Sequence, residues 1–259
     1  MFLYSMAFDF NCKFEFSKAC ISHKGCEFIL HNGGDNYADV IETILDKYED
    51  RDSFSQVAFN FCLSFVACNS CNFAYLDSCA MSLHEKIDIF DKNPFIKIPR
   101  NSRSVLVPLN YIKKVDTEEQ SLVSSLFNDA TSSNNPFFKF LCYWKILEIP
   151  INSKSRKATD WIDSTVKTNP ELVESSKELK EEYDKGINIG KYFKDNYRDA
   201  VAHIARPPHL SSHNFNDYKK VTEACDSLNP FIIHFMQNEI TWEKGLSKVN
   251  IIKIENKGK

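Results

Sequence analysis

The sequence predicts an α+β protein in which an N-terminal α+β domain precedes an all-helical bundle. In the first hundred or so residues, short apolar runs alternate with polar turns, which is typical of strands. After Asp116 the segments lengthen and their apolar residues recur every three or four positions, which is the period of amphipathic helices. We therefore predict an α+β domain at residues 1–114, a helical domain at 115–245, and a basic strand or tail at 246–259.

Length and composition exclude several classes of protein. The 259 residues can bury a real hydrophobic core, and no apolar run reaches the roughly 18–20 residues of a membrane helix. The start, MFLYSMAFDF, has no basic region and no small-residue cleavage site, so it reads as a strand and not as a signal peptide. Nine cysteines and no secretion signal predict reduced thiols and a cytoplasmic location.

The N-terminal domain is predicted to begin with a hairpin. Residues 7–16 carry alternating phenylalanines, residues 27–31 form another apolar run, and the polar stretch 22–25 lies between them. Residues 36–48 and 53–68 have apolar side chains at helical spacing, which predicts two helices. Residues 87–90, 95–98 and 104–109 are short apolar runs separated by proline-containing turns, which predicts further strands.

Four cysteines lie close together in this part of the sequence. Cys68 and Cys71 are spaced as in a zinc knuckle, and Cys62 and Cys79 flank them, but the second paired knuckle of a zinc site is missing. The alternative is that these cysteines are small buried hydrophobic residues. We predict no metal site.

The helical domain begins with clear start signals. Thr117 and Gln120 are placed as in a capping box, and Pro136 suits the first position of a second helix that ends at Glu148, before Pro150. Residues 158–166 and 171–183 predict two polar helices, or one helix interrupted at Asn169-Pro170. A last long helix is predicted at about residues 215–239.

The most informative stretch is residues 192–203, YFKDNYRDAVAH, which Arg206-Pro207-Pro208 terminates. Its apolar positions form one face that points into a core, namely Ile189, Phe193, Tyr197, Ala200 and Ile204. Asp199 and His203 lie four apart on the outer face, so the carboxylate can orient the imidazole. Such a pair is often only a surface pair. Arg198 is five residues from His203, roughly 140° around an ideal helix, so the two meet only if the long Arg198 side chain swings across or a second subunit contributes its own pair.

This stretch carries a family resemblance. Arg198 to His203 resembles the R-x4-6-H motif of HEPN domains, with a polar residue after the arginine. The upstream segment 135–148, NPFFKFLCYWKILE, resembles the helix that opens the HEPN region of methylamine-utilisation MauJ-like and ApeA-like proteins. The resemblance implies a helical homodimer with a composite cleft, often a metal-independent ribonuclease of defence or toxin systems, with Arg198, Asp199 and His203 catalytic. Some HEPN domains only bind a nucleotide, RNA or a partner protein.

Charge sets a limit on RNA binding. Residues 1–150 carry a net charge of −5 and residues 151–259 a net charge of +2, so an RNA contact must be local and not a broad basic face. Arg206 and Lys194, with Lys191, are the candidate substrate-binding cations, and Glu148 is a candidate supporting partner for Arg198. The chain has no G-x-G-x-x-G and no P-loop, so no cofactor is predicted. The sequence leaves three roles open for the N-terminal domain: substrate sensing, dimer support or docking of a regulatory partner.

Overall fold

The structure is a computed structural model, and it describes residues 2–14, 16–33, 37–69, 73–83, 105–106, 115, 117–150, 157–174, 176–202, 209–240 and 248–250. The chain divides into two compact units. The first comprises residues 1–116 and 242–259, and the second comprises residues 117–241. The first unit is built on an antiparallel sheet and the second is helical, as the sequence predicts.

The first unit contains a six-stranded sheet with the order β6-β1-β5-β4-β3-β8. Its strands are β1 (Phe2–Phe10), β3 (Lys18–His23), β4 (Cys26–His31), β5 (Asp39–Leu45), β6 (Phe73–Leu83) and β8 (Lys248–Asn250). The short strands β2 (Cys12–Lys13) and β7 (Val105–Leu106) pair in parallel. Strand β8 pairs with β3, so part of the C-terminal segment belongs to this sheet.

A helix, α1 (Arg51–Asn69), packs against the sheet through aromatic side chains. Phe28 of β4 makes edge contacts with Phe54 and Phe61 of this helix, with ring centroids 5.9 and 5.1 Å apart. Tyr4 of β1 contacts Phe54 at 6.0 Å. Such edge-to-face pairs add to the stabilisation that apolar burial provides, so the phenylalanine-rich composition builds the core of this unit.

The predicted hairpin turn is confirmed, but one of its strands was assigned wrongly. Strands β3 and β4 pair around Lys24 and Gly25, whose φ angles of 50° and 78° are those of a tight hairpin turn. The strand before the turn is β3, whereas residues 2–10 form β1 and pair with β5 and β6. Of the alternating phenylalanines, Phe8 and Phe10 lie in β1, whereas Phe14 and Phe16 lie outside the strands.

The helix predicted at residues 36–48 is wrong, because residues 39–45 form strand β5. This strand lies between β1 and β4 and is buried on both faces, including Val40, Ile41 and Leu45. A strand buried on both faces loses the apolar–polar alternation, so its apolar residues also satisfied helical spacing. The strands predicted at residues 87–90 and 95–98 lie outside the described residues.

The second unit consists of helices, and the first two begin with the predicted signals. They are α2 (Glu118–Ser132), α3 (Pro136–Glu148), α4 (Ala158–Thr168), α5 (Glu171–Glu174), α6 (Lys177–Asp184), α7 (Ile189–Phe193), α8 (Asp199–Ala202) and α9 (Phe215–Asn238). The capping box of α2 is present in both directions, since Thr117 Oγ1 accepts from the Gln120 N–H and Gln120 Oε1 accepts from the Thr117 N–H. Pro136 occupies the first turn of α3 as predicted. Within the described residues no helix is long and apolar enough to cross a membrane.

Residues 189–202 form one continuous helical segment, which we call the motif helix. Between α7 and α8 the backbone makes a π-helical turn, Lys194–Arg198, which the sequence did not predict. The predicted inner face is confirmed for Ile189, Phe193, Tyr197 and Ala200, all of which are buried. Phe193 contacts Phe140 of α3 and Phe231 of α9 at 6.5 and 6.1 Å, so an aromatic cluster holds the motif helix in the bundle.

Candidate functional site

A groove of about 710 Å³ runs along the motif helix in the helical unit. Its walls come from the end of α3, the start of α4 and residues 188–198 of the motif helix. Arg198, Lys194 and Glu148, three of the residues singled out in the sequence, all line it. The fold therefore brings together side chains that are up to 50 positions apart in the sequence.

Close contact between α4 and α7 shapes the floor of this groove. A Cβ atom on Gly190 would lie 2.2 Å from the carbonyl oxygen of Thr159, so only glycine allows the two backbones to approach this far. Asp163 Oδ1 accepts a 2.7 Å hydrogen bond from the Gly190 N–H. This N–H lies in the first turn of α7, where the helix itself offers no acceptor, so α4 caps α7 while packing against it.

Charges of both signs line the groove. Among the described residues, the cations are Lys157, Lys191, Lys194 and Arg198, and the carboxylates are Glu148, Asp160, Asp163 and Asp195. Three of the carboxylates accept hydrogen bonds: Asp163 from the Gly190 N–H, Asp160 from the Thr159 hydroxyl at 3.2 Å, and Glu148 from the Trp144 indole. The groove can hold a phosphate locally without presenting a strongly basic surface.

Arg198 is held by its neighbour in the sequence. Its Nη1 donates to Asp199 Oδ1 at 2.8 Å, and the two side chains are 30% and 18% exposed. The contact with Asp199 fixes one side of the guanidinium, and the other side of the guanidinium is turned toward the groove. Asp199 was expected to orient His203. His203 and Arg206 lie outside the described residues, so that contact stays a prediction.

Two tyrosines anchor the π turn that carries Arg198. Tyr197 is buried against Phe140, with ring centroids 5.8 Å apart, and its hydroxyl lies 3.4 Å from that of Tyr192. The Tyr192 hydroxyl in turn donates to Glu178 of α6. Burial raises the pKa of both tyrosines, and the bond to Glu178 raises the pKa of Tyr192 further. Both hydroxyls therefore stay neutral and hydrogen-bonded at physiological pH. π turns often occur at functional sites.

Glu148 has a different partner from the one expected. Its Oε1 accepts a 2.8 Å hydrogen bond from the indole N–H of Trp144, one turn earlier in α3. No Glu148–Arg198 ion pair forms within the described residues, although both side chains line the groove. Trp144 and Glu148 are four apart, which places them on the same face of a helix, and this spacing was the signal that could have identified the contact.

The cysteine cluster can be placed only in part. Cys62 is buried in α1, where burial raises the pKa of its thiol well above the ordinary value. The side chains of Cys68, Cys71 and Cys79 lie outside the described residues. In the part of the chain that the structure describes, no group of three or more histidine, cysteine or acidic side chains is arranged to hold a metal ion.

Residues 123–236 match the family model described as methylamine utilization protein MauJ. The helical unit is MauJ-like. Comparison of the chain with curated proteins and with solved structures gives no match. The matched segment contains α3, α4 and the motif helix and therefore the whole groove, so the groove belongs to the MauJ-like part of the protein.

The sequence interpretation missed several residues that build the MauJ-like groove. Gly190 and Asp163 are 27 positions apart, and no local pattern links them. Lys157 was not singled out in the sequence, although it precedes the first residue of α4 and lines the groove. Lysine at the start of a helix opposes the helix dipole, and this unfavourable placement could have marked Lys157 as a functional candidate.

Proposed function

We propose that the groove of the MauJ-like unit is the active site of a metal-independent endoribonuclease of the HEPN type. The observation that carries this proposal is the position of Arg198, which ends the π turn, is oriented by Asp199 and faces a groove that contains three lysines. A planar guanidinium can contact two phosphate oxygens at once. Arg198 also begins the six-residue stretch that resembles the HEPN motif and ends at His203.

The reaction needs an acid, a base and a group that stabilises negative charge. In the proposed mechanism one His203 removes the proton of a ribose 2′-hydroxyl, and the 2′-oxygen attacks the adjacent phosphorus. The bond from phosphorus to the 5′-oxygen breaks, and a second His203, from the other subunit of a homodimer, protonates that oxygen. Arg198 stabilises the charge on the pentavalent phosphorus. The products are a 2′,3′-cyclic phosphate and a 5′-hydroxyl.

Binding and orientation fall to the remaining site residues. Lys194, which lines the groove, and Arg206 contact flanking phosphates, and Asp199 keeps the guanidinium of Arg198 turned toward the substrate. The HEPN resemblance implies a cytoplasmic defence or toxin nuclease, and the sheet unit would dock a regulatory partner. None of these roles requires a metal ion or a cofactor.

A cleavage assay in EDTA tests the proposal. Wild-type protein incubated with total RNA should produce fragments with 2′,3′-cyclic phosphate ends, whereas an Arg198→Ala/His203→Ala double variant should produce none. DNA of the same sequence should stay intact, because it lacks the attacking hydroxyl. Equal cleavage by the double variant, or cleavage that EDTA abolishes, would refute the mechanism.

A second function, binding of RNA or a nucleotide without cleavage, is favoured by one observation. Among the described residues alone the groove contains four cations, and this number supports phosphate binding without His203. This alternative predicts that wild type and a His203→Ala variant bind RNA equally well and that neither cleaves it. Fluorescence anisotropy with a labelled oligoribonucleotide, run beside the cleavage assay, separates the two functions.

A further inference from the structure

The groove contains a carboxylate whose orientation is fixed by the protein. Glu148 is exposed at the end of α3, and its Oε1 accepts the indole N–H of Trp144. The Trp144 ring is buried and stacks on Phe140 with an interplanar angle of 16°. Because the indole is packed in the core, the hydrogen bond holds the carboxylate in one direction. Glu148 Oε2 has no hydrogen-bond partner within the described residues.

The other acidic side chains of the groove differ from Glu148. Asp163 caps α7 through the Gly190 N–H, and Asp160 accepts from Thr159. Asp195 is exposed in the π turn, with no hydrogen bond to other described residues to orient it. Asp163 also has a fixed orientation, but a backbone N–H at the contact between α4 and α7 holds it. Glu148 is the exposed carboxylate that a buried side chain orients and that keeps an oxygen to accept from a ligand.

A carboxylate selects its ligand by accepting hydrogen bonds and by repelling negative atoms. It has no proton to donate when ionised, so it repels phosphates and carbonyl-rich edges and binds edges that carry N–H groups. Guanine presents two adjacent donors on its pairing edge, the ring N1–H and the exocyclic amino group. Uracil presents one N–H between two carbonyl oxygens, and adenine and cytosine present an amino group beside an acceptor nitrogen. Guanine therefore fits a fixed carboxylate best.

We propose that Glu148 is a base-selecting residue that receives a guanine of single-stranded RNA in the groove. The proposal rests on the proposed function, since it assigns the phosphates of the same RNA to Arg198 and the groove lysines. Recognition of splayed-out bases through their pairing edges is a general mode of RNA binding. A groove of about 710 Å³ is within the range of small-molecule sites, so a nucleotide fits beside the cations.

The test measures, by fluorescence anisotropy, the binding of two 2′-O-methyl heptamers that cannot be cleaved. One contains only uridine, and the other has a single guanosine at its centre. Wild-type protein should bind the guanosine-containing heptamer about tenfold more tightly or better, as expected for a well-placed pair of base contacts. Glu148→Gln has the same shape and can still accept the Trp144 N–H, but it should lose this preference. Asp195→Asn removes one negative charge from the same groove and should keep it.

The outcomes separate this proposal from the proposed function. Loss of guanosine preference in Glu148→Gln, with retention in Asp195→Asn, supports base selection even if unmodified RNA is never cleaved. Equal binding of the two heptamers by wild type, an unchanged preference in Glu148→Gln, or no binding of either heptamer overturns it. Cleavage of unmodified RNA by wild type without guanine preference would leave the nuclease intact and refute the role of Glu148.

Discussion

Replacing Gly190 by alanine tests the contact that shapes the groove. The added Cβ would lie 2.2 Å from the Thr159 carbonyl oxygen and 2.7 Å from its Cα. Because both are backbone atoms, they cannot rotate away, and α7 must move from α4 by roughly 1 Å to restore ordinary van der Waals contact. That movement also lengthens the 2.7 Å hydrogen bond from the Gly190 N–H to Asp163.

The expected cost can be estimated from three contributions. Overpacking costs about 1–3 kcal/mol, and loss of a hydrogen bond to a carboxylate costs about 1.5–3 kcal/mol. Alanine regains about 1 kcal/mol through its higher helix propensity. The net loss of unfolding free energy for Gly190→Ala is therefore about 2–5 kcal/mol, even though alanine is normally the better helix residue.

Urea unfolding followed by tryptophan fluorescence measures this loss, since Trp144 and Trp161 both lie in the helical unit. Gly186→Ala is the matched control. Gly186 has a φ of +78° and nothing within 4 Å of an added Cβ, so alanine there costs only backbone strain of about 1–2 kcal/mol. If Gly190→Ala is as stable as wild type, the close approach of α4 and α7 is wrong.

Three further predictions concern the site and the two cores. Arg198→Lys should lower the initial rate of RNA cleavage about 10²-fold, nearly as much as Arg198→Ala. If the lysine variant keeps most of the activity, a positive charge at this position is enough. His31→Leu should destabilise the sheet unit by about 1–3 kcal/mol, because Glu42 Oε2, which lies 3.1 Å from His31 Nε2 with both side chains buried, would lose its partner while Oε1 keeps the Ser5 hydroxyl; a His31→Leu/Glu42→Leu double variant should be more stable than the single one in urea. Burial raises the pKa of Cys142 to about 11 and of Cys225 to about 12 from an ordinary value of 9.0, which favours the neutral thiol in the folded state. The stability that these neutral thiols contribute is fully present below pH 9 and is lost as the pH rises toward 11–12. The unfolding free energy should therefore fall more between pH 8 and pH 10.5 for wild type than for a Cys225→Ala variant.

The helical unit could be predicted well because its signals are local. A capping box at Thr117 and a proline at the first position of α3 depend on residues within one turn of each other. Tertiary packing therefore did not override the helix starts that they predict. The inner face of the motif helix was predicted for the same reason. The domain boundaries drawn from these signals stay a prediction.

The sheet unit was harder because strand partners are distant in the sequence. β1 pairs with β5 and β6, which begin about 37 and 71 residues after it begins, and no periodicity encodes that choice. β5 satisfied helical spacing although it is a strand buried on both faces. The π turn at Lys194–Arg198 was also unpredictable, since its apolar spacing is compatible with an ordinary α-helix.

The site was predicted where side chains share a helix and missed where helices meet. Arg198 and Asp199 are adjacent in the sequence and form the ion pair. Trp144 and Glu148 share one helical face, yet the expected partner of Glu148 was Arg198. The Asp163–Gly190 contact depends on how α4 packs on α7, which a single sequence does not show.

The mixed charge of the groove limits how the proposed RNA ligand can be recognised. The chain has a net charge of −3, and the described residues of the groove include as many carboxylates as cations, four of each, so long-range attraction of an anion is weak. Affinity that came from phosphate neutralisation alone would need many more cations. In the proposed function, selectivity therefore comes from fixed geometry: Arg198, held by Asp199, would contact a phosphate, and Glu148, held by Trp144, would contact a base. It follows that a change of shape at constant charge, such as Arg198→Lys, should matter more than a change of charge at an unanchored position, such as Asp195→Asn.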